Sequence, residues 1–251
     1  MRILVTFALE WEFKPWLRLR KFQASPGDGM VFIARAAGKD VRVLLTGIGA
    51  ANAARAIRKF TDCRPDICIA SGLAGGLKPQ HRSGEILAAR AVQKASAGVS
   101  YESDQGLFSA AVECGAKPVD RFFSSGHVVR TAQEKFRLGA AADAVDMEAF
   151  AVMQEMGRLD VPCVAVRVVA DSAEMEVPCD FDRALDDSGR IRIVQVLSQV
   201  AGDPRRLWPL AQLGVRSARA ATALARYLER YTTFLTGHQE KMDLGVPAIS
   251  Q

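Results

Sequence analysis

Two carboxylates flank a methionine in Val145-Asp146-Met147-Glu148-Ala149-Phe150, and an apolar helical pattern starts there and runs to Met156. A carboxylate at a helix start commonly accepts from the unpaired N–H groups of the first turn. That role suits Asp146 better than Glu148, and the two are expected to point in different directions. Further on, the apolar run 163–169 ends in Ala170-Asp171-Ser172, which sets an acid at the carboxyl end of a predicted strand, where open α/β sheets bind their ligands. A third acidic stretch, Phe7-Ala8-Leu9-Glu10-Trp11-Glu12, follows the first predicted strand. An ordinary aspartic acid has a pKa of about 3.9, so proton donation by any of these groups requires burial or a neighbouring charge. An ionised one can instead stabilise a developing cation.

Two glycine clusters could serve a ligand. Gly47-Ile48-Gly49 opens into the Ala-rich helical stretch 50–60, but Asn52 stands where a dinucleotide fingerprint has its third glycine. No acid closes a matching second strand, so a tight turn before a helix is the plainer reading and a dinucleotide-dependent oxidoreductase the weakest one. Ser71-Gly72-Leu73-Ala74-Gly75-Gly76-Leu77 is read as a loop whose N–H groups face an anion or a sugar hydroxyl, or as simple turn packing. His81, His127 and His238 show no metal-binding spacing, so no metal is expected. His127 is read as a surface residue, with contact to a ligand as the alternative. Cys63, Cys68, Cys114, Cys163 and Cys179 form no CxxC pair. They are read as small buried hydrophobes in a reducing cytoplasm.

These residues need a scaffold. Short β-branched runs at 3–7, 31–34, 41–45, 67–70 and 164–169 alternate with turns and helical patterns. The expected fold is a single-domain α/β architecture with a mixed, largely parallel twisted sheet flanked by helices. At 251 residues, with 49% hydrophobic and 24% charged residues, the chain can bury a continuous core and is neither disordered nor fibrous. The net charge of +5 favours anionic small molecules or a weak surface attraction, and no nucleic-acid partner is expected. No cleavable signal and no membrane span are read. Residues 95–125, rich in Ser, Gly and Lys, are expected to form an excursion or a flexible flap within the domain. From about 203 an Ala/Arg/Leu helix is expected, lined by Leu213, Ala220, Leu224, Leu228 and Phe234 and decorated by Arg216, Arg219, Arg226 and Arg230. The domain is expected to span 1–236, and 237–251 to form a flexible tail.

Taken together, these segments resemble the nucleoside phosphorylase and nucleosidase superfamily that includes methylthioadenosine/S-adenosylhomocysteine nucleosidase. The resemblance covers roughly residues 1–180 and rests on the 7–12, 47–49, 71–77, 145–150 and 167–171 elements in the family's order. It implies that Asp171 protonates or hydrogen-bonds N7 of a purine and that Met147 and Glu148 hold the ribose. It also implies that Glu12 activates an attacking water, and that Ala74, Gly75 and Val129 line the substrate. Ala70 and Leu73 stand where the family's phosphorylases carry an arginine and a hydroxyl, which favours water over phosphate as nucleophile. The nucleosidases too have a hydroxyl at Leu73 and an aromatic near Val129, which implies an unusual nucleoside or, as the alternative, a nucleoside-binding protein without efficient catalysis. No cofactor is expected, with phosphate held open as a co-substrate. A homo-oligomer is implied. Residues 139–230 are most similar to the hopanoid-associated phosphorylases, thought to remove adenine from an adenosyl-hopane lipid. A lipid tail would suit an apolar pocket and a C-terminal helix that meets an anionic membrane; the plainer reading packs that helix on the sheet with its arginines in water.

Overall fold

The structure is a computed structural model that describes residues 1–25, 28–36, 38–60, 64–94, 98–201, 205 and 207–243. The amino-terminal half builds the expected βα rhythm. β1 (Arg2–Phe7) leads into α1 (Glu10–Arg20), and β2 (Gln23–Ser25), β3 (Asp28–Ala36) and β4 (Lys39–Leu45) return antiparallel at the edge. α2 (Ala50–Lys59) then crosses to β5 (Ile67–Ala70), and β4, β1 and β5 pair in parallel.

The remaining strands are β6 (Leu73–Gly76), β7 (Ile86–Lys94), β8 (Ser100–Glu102), β9 (Lys117–Ser124), β10 (Ala144–Asp146) and β11 (Cys163–Asp171). The helices between and after them are α3 (Gln105–Glu113), α4 (Ala132–Gly139), α5 (Ala149–Arg158), α6 (Ile193–Ala201) and α7 (Leu207–Asp243). The sheet order is β2-β3-β4-β1-β5-β11-β6-β10-β9-β7-β8, with a further β11–β7 pairing that closes half of the sheet into a ring. The fold is the mixed α/β sheet expected, with the ring closed by β7 as an added feature.

All nine residues of β11 are buried. It pairs in parallel with β5 and β6 and antiparallel with β7, which explains its near-continuous apolar composition: both faces are covered. On one side of the sheet Phe7, Phe13, Trp16 and Phe22 pack with Leu224, Leu228 and Tyr231 of α7. Trp16 Nε1 donates to Glu229 at 2.8 Å, and Arg20 Nε donates to the same carboxylate at 2.8 Å, fastening α1 to α7. The arm of α7 that carries Arg219, Arg226 and Arg230 outward thus lies on the sheet through its opposite face. Cys68, Cys163 and Cys179 are buried, while Cys114 is half-buried and Cys63 lies outside the described residues.

Two expectations are corrected. Residues 98–124 are not a flap: they supply β8, α3 and β9, with Leu107, Phe108, Ala111 and Phe122 in the core, and 95–97 lie outside the described residues. The polar Asp104 there caps α3, accepting from Leu107 N at 2.9 Å. Secondly, α7 runs through Gly237 to Asp243, past the expected start of an aperiodic tail; residues 244–251 and the His238 side chain lie outside the description. Among the described residues no helix is long and apolar enough to cross a membrane.

Candidate active site

The carboxyl ends of β1, β10 and β11, with residues 73–75 of β6, border a cavity of about 580 Å³ whose lining includes Glu12, Ala74, Gly75, Val129, Met147, Glu148 and Asp171. The three acids singled out in the sequence therefore share one space. Each arrives from a different crossover: Glu12 from the first turn of α1, Glu148 from the entry to α5, and Asp171 as the last residue of β11.

Asp146 and Glu148 do turn apart. Asp146 is buried, and its Oδ2 accepts from Ala149 N at 2.9 Å, capping α5, and from Arg167 Nε at 2.8 Å. Its Oδ1 accepts from Ser124 Oγ at 2.5 Å. Arg167 is a guanidinium inside a buried strand, a placement sustained by an anionic partner. Glu148 reaches the other way, where Oε1 accepts from Gly49 N at 2.7 Å. Gly49 has φ +95°, a backbone state that favours glycine and turns this amide toward the carboxylate.

Gly72, at φ +142°, makes room for a second encounter. A Cβ there would lie 3.5 Å from both Arg167 Nη1 and Glu12 Oε2. Glu12 is buried, and its Oε2 is without a hydrogen-bond partner among the described residues. Burial first, then the charge of Glu148, push its pKa up to about 8, against the pull of Arg167. Burial and then Asp146 push Glu148 up to about 7, again opposed by Arg167. Asp171 is also raised, by burial, with the nearby Lys135 ammonium acting the other way. All three carboxyls thus hold protons more readily than in water, as acid–base work near neutrality requires.

The glycine cluster differs from its expected form. Leu73–Gly76 is a strand, pairing with β11 on one side and β10 on the other, so its amides serve the ladder instead of forming an anion-binding loop. Its glycines answer crowding: a Cβ at Gly75 would come within 3.3 Å of Asp171 Oδ2. Ser71 Oγ donates to Thr6 O at 2.8 Å, which commits that hydroxyl to the fold. Val129 is buried on the cavity wall, and His127, also on that wall, is 2.8 Å from Glu134 Oε1.

The inner cavity is acidic: among its described lining residues there is no Lys or Arg. The outer cavity is apolar, walled by Phe181, Ile191, Ile193, Val196, Leu210 and Leu213. Sequence reasoning placed Leu213 on the C-terminal helix but assigned no element to the connection between β11 and α7, although Ile193, Val196 and Leu197 recur there at helical spacing in α6. It also missed Lys135, whose ammonium contacts Asp171. Among the described residues no cluster of His, Cys, Asp or Glu is arranged to hold a metal ion.

A sequence profile described as the phosphorylase superfamily matches residues 2–201. The chain belongs to that superfamily. It is accordingly an enzyme of the nucleosidase or nucleoside phosphorylase kind, and its fold is shared with solved members. It is 17% identical to Campylobacter jejuni 5'-methylthioadenosine/S-adenosyl homocysteine nucleosidase, with 93% of this chain and 99% of that chain covered at a TM-score of 0.67. Futalosine hydrolase of Helicobacter pylori strain 26695 is also 17% identical, covering 92% and 97% at 0.71. The Neisseria meningitidis 5'-methylthioadenosine/S-adenosylhomocysteine nucleosidase, solved with methylthio-immucillin-A, is 22% identical, covering 92% and 98% at 0.67.

Proposed function

We propose that this enzyme cleaves the N-glycosidic bond of a purine nucleoside, with adenine as the departing base and water as the nucleophile. The observation that carries the reading is the convergence of Glu12, Glu148 and Asp171 on a cavity whose described lining holds no cation. A phosphate dianion entering such a space would meet carboxylates and no guanidinium fork, whereas a neutral water meets a base.

In this mechanism Asp171 gives its proton to N7, so that the C1′–N9 electron pair leaves with a neutral base. The sugar develops oxocarbenium character, which the negative charge of Glu148 stabilises while its carboxylate and Met147 hold the ribose hydroxyls. Glu12 takes the proton of the water that adds to C1′. Ala74, Gly75 and Val129 form the floor and side of the nucleoside site. No cofactor enters.

The apolar outer wall favours a nucleoside with an apolar 5′ substituent, and a lipid-tailed adenosyl compound of the adenosyl-hopane type belongs to that class. Ile193 is 70% exposed and Trp208 71% exposed. A bilayer contact is assigned to this collar and not to the packed length of α7. A homo-oligomer remains part of the proposal.

The test is incubation with 5′-substituted adenosines with and without phosphate, following base and sugar. Free adenine and free sugar, formed independently of phosphate, are expected. Strict phosphate dependence with a sugar 1-phosphate product would overturn the hydrolytic reading. Asp171→Asn should lower kcat by roughly 10²- to 10⁴-fold, and wild-type turnover in that variant would remove its role as acid. Tight binding of the nucleosides with no base released would replace the enzyme mechanism by a binding function.

A further inference from the structure

Helix α4 is turned contrary to the ordinary partition of side chains between water and protein. Lys135 is 0% exposed, while its neighbour Phe136 is 79% exposed; among the described residues Lys135 is the helix's buried position. Swapping a phenylalanine for a lysine on the inner face is unfavourable unless the buried ammonium is fully satisfied. Here it is satisfied: Nζ donates to the Asp171 carboxylate through Oδ2, to Ser172 O at 3.0 Å and to Met175 O at 2.8 Å. An ammonium has three N–H donors, and all three are engaged at the carboxyl end of β11 and in the turn after it.

We infer that Lys135 is the positioning residue for departure of the base: it fixes Asp171 through Oδ2, leaves Oδ1 to the purine, and governs the pH at which the acid holds its proton. This rests on the reading of Asp171 given above. Nothing about base cleavage as such calls for a buried lysine behind the acid; the inversion of α4 does.

The sign follows from the charges. The ammonium favours the carboxylate, whereas burial favours the protonated acid and is the larger influence on Asp171. Facing Asp171, β6 contributes Ala74 and Gly75, which carry no charge, and α4 contributes Lys135. The other titratable groups on the cavity wall are Glu12, His127, Asp146 and Glu148. Removing the lysine charge alone should let Asp171 keep its proton to higher pH.

The experiment compares wild type with Lys135→Met, and with Lys135→Gln as a second variant in case the methionine form does not fold. The alkaline limb of kcat should move up by about one pH unit or more. At neutral pH kcat should fall about tenfold with KM little changed, because the acid is no longer held in line. In an Asp171→Asn background Lys135→Met should change the residual rate by less than about twofold, since the partner charge is gone. An unmoved limb, or the same loss in both backgrounds, would reduce Lys135 to a packing residue and overturn the inference while leaving base cleavage intact. Calorimetric titration of free adenine across the same pH range reads the pair without turnover. There too the pH at which binding weakens should rise in the variant, and an unshifted curve would sink the inference. Absence of base release by wild type would instead count against the proposed function.

Discussion

Gly49 N donates to Glu148 Oε1 at 2.7 Å, so the turn that begins α2 is joined directly to the residue that begins α5. The bond uses one carboxylate oxygen for position and leaves the charge to act in the cavity. The two duties are separable by substitution.

Glu148→Gln retains an acceptor for the Gly49 amide but removes the charge. Its melting temperature should stay within roughly 3 °C of wild type, while kcat/KM falls roughly 10²- to 10³-fold with the loss of electrostatic stabilisation of the ribosyl cation. Retention of more than about a tenth of wild-type kcat/KM would show that the charge is not used in the transition state.

Glu12 yields a prediction with opposite signs for activity and stability. As a base it works ionised, so kcat/KM should climb as pH rises through its pKa of about 8. Stability runs the other way. The unfolded chain releases this proton near the ordinary 4.5, the folded one near 8, so between those values the unfolded state binds fewer protons and stability falls as pH rises. Glu12→Gln should therefore melt higher than wild type at pH 8, by roughly 4 °C or more, with the gap closing toward pH 5. It should also lose roughly 10²-fold in rate. Thermal melts across that range decide the matter: a gap independent of pH would mean that Glu12 is not the buried acid described.

The apolar outer cavity predicts a graded response to the 5′ substituent. Each added methylene that becomes buried contributes about 0.8 kcal/mol, or about fourfold in kcat/KM. A series of 5′-alkylthio-5′-deoxyadenosines from methyl to hexyl should show that rise, and Leu213→Asp should flatten it. A flat series in the wild-type enzyme would remove the outer wall from substrate recognition.

The three acids were legible in the sequence because each stands at a border, between an apolar strand or helix pattern and a turn, where side chains point to the end of the sheet. Their convergence followed from strand order, which the resemblance supplied and periodicity could not. Leu73–Gly76 was misread because a glycine-rich strand lacks the β-branched and aromatic residues that mark strands; its composition is explained by close neighbours, Asp171 and Val145 across the sheet at Gly75 and His81 O and Val169 at Gly76. Lys135 was invisible for a related reason. In Ala-Gln-Glu-Lys-Phe-Arg-Leu-Gly the ordinary reading puts Phe136 inside, and the reversal appears only when the acceptors of the β11 terminus are in place.

Because β11 is laced to β5, β6 and β7, the residue at its tip is anchored on several flanks at once. The wall formed by α6 and the start of α7 hangs outside that lacing. Mutations there can reshape which tail is admitted while the proton donor keeps its station, so substrate range can drift in this scaffold without the bond-breaking apparatus having to be rebuilt.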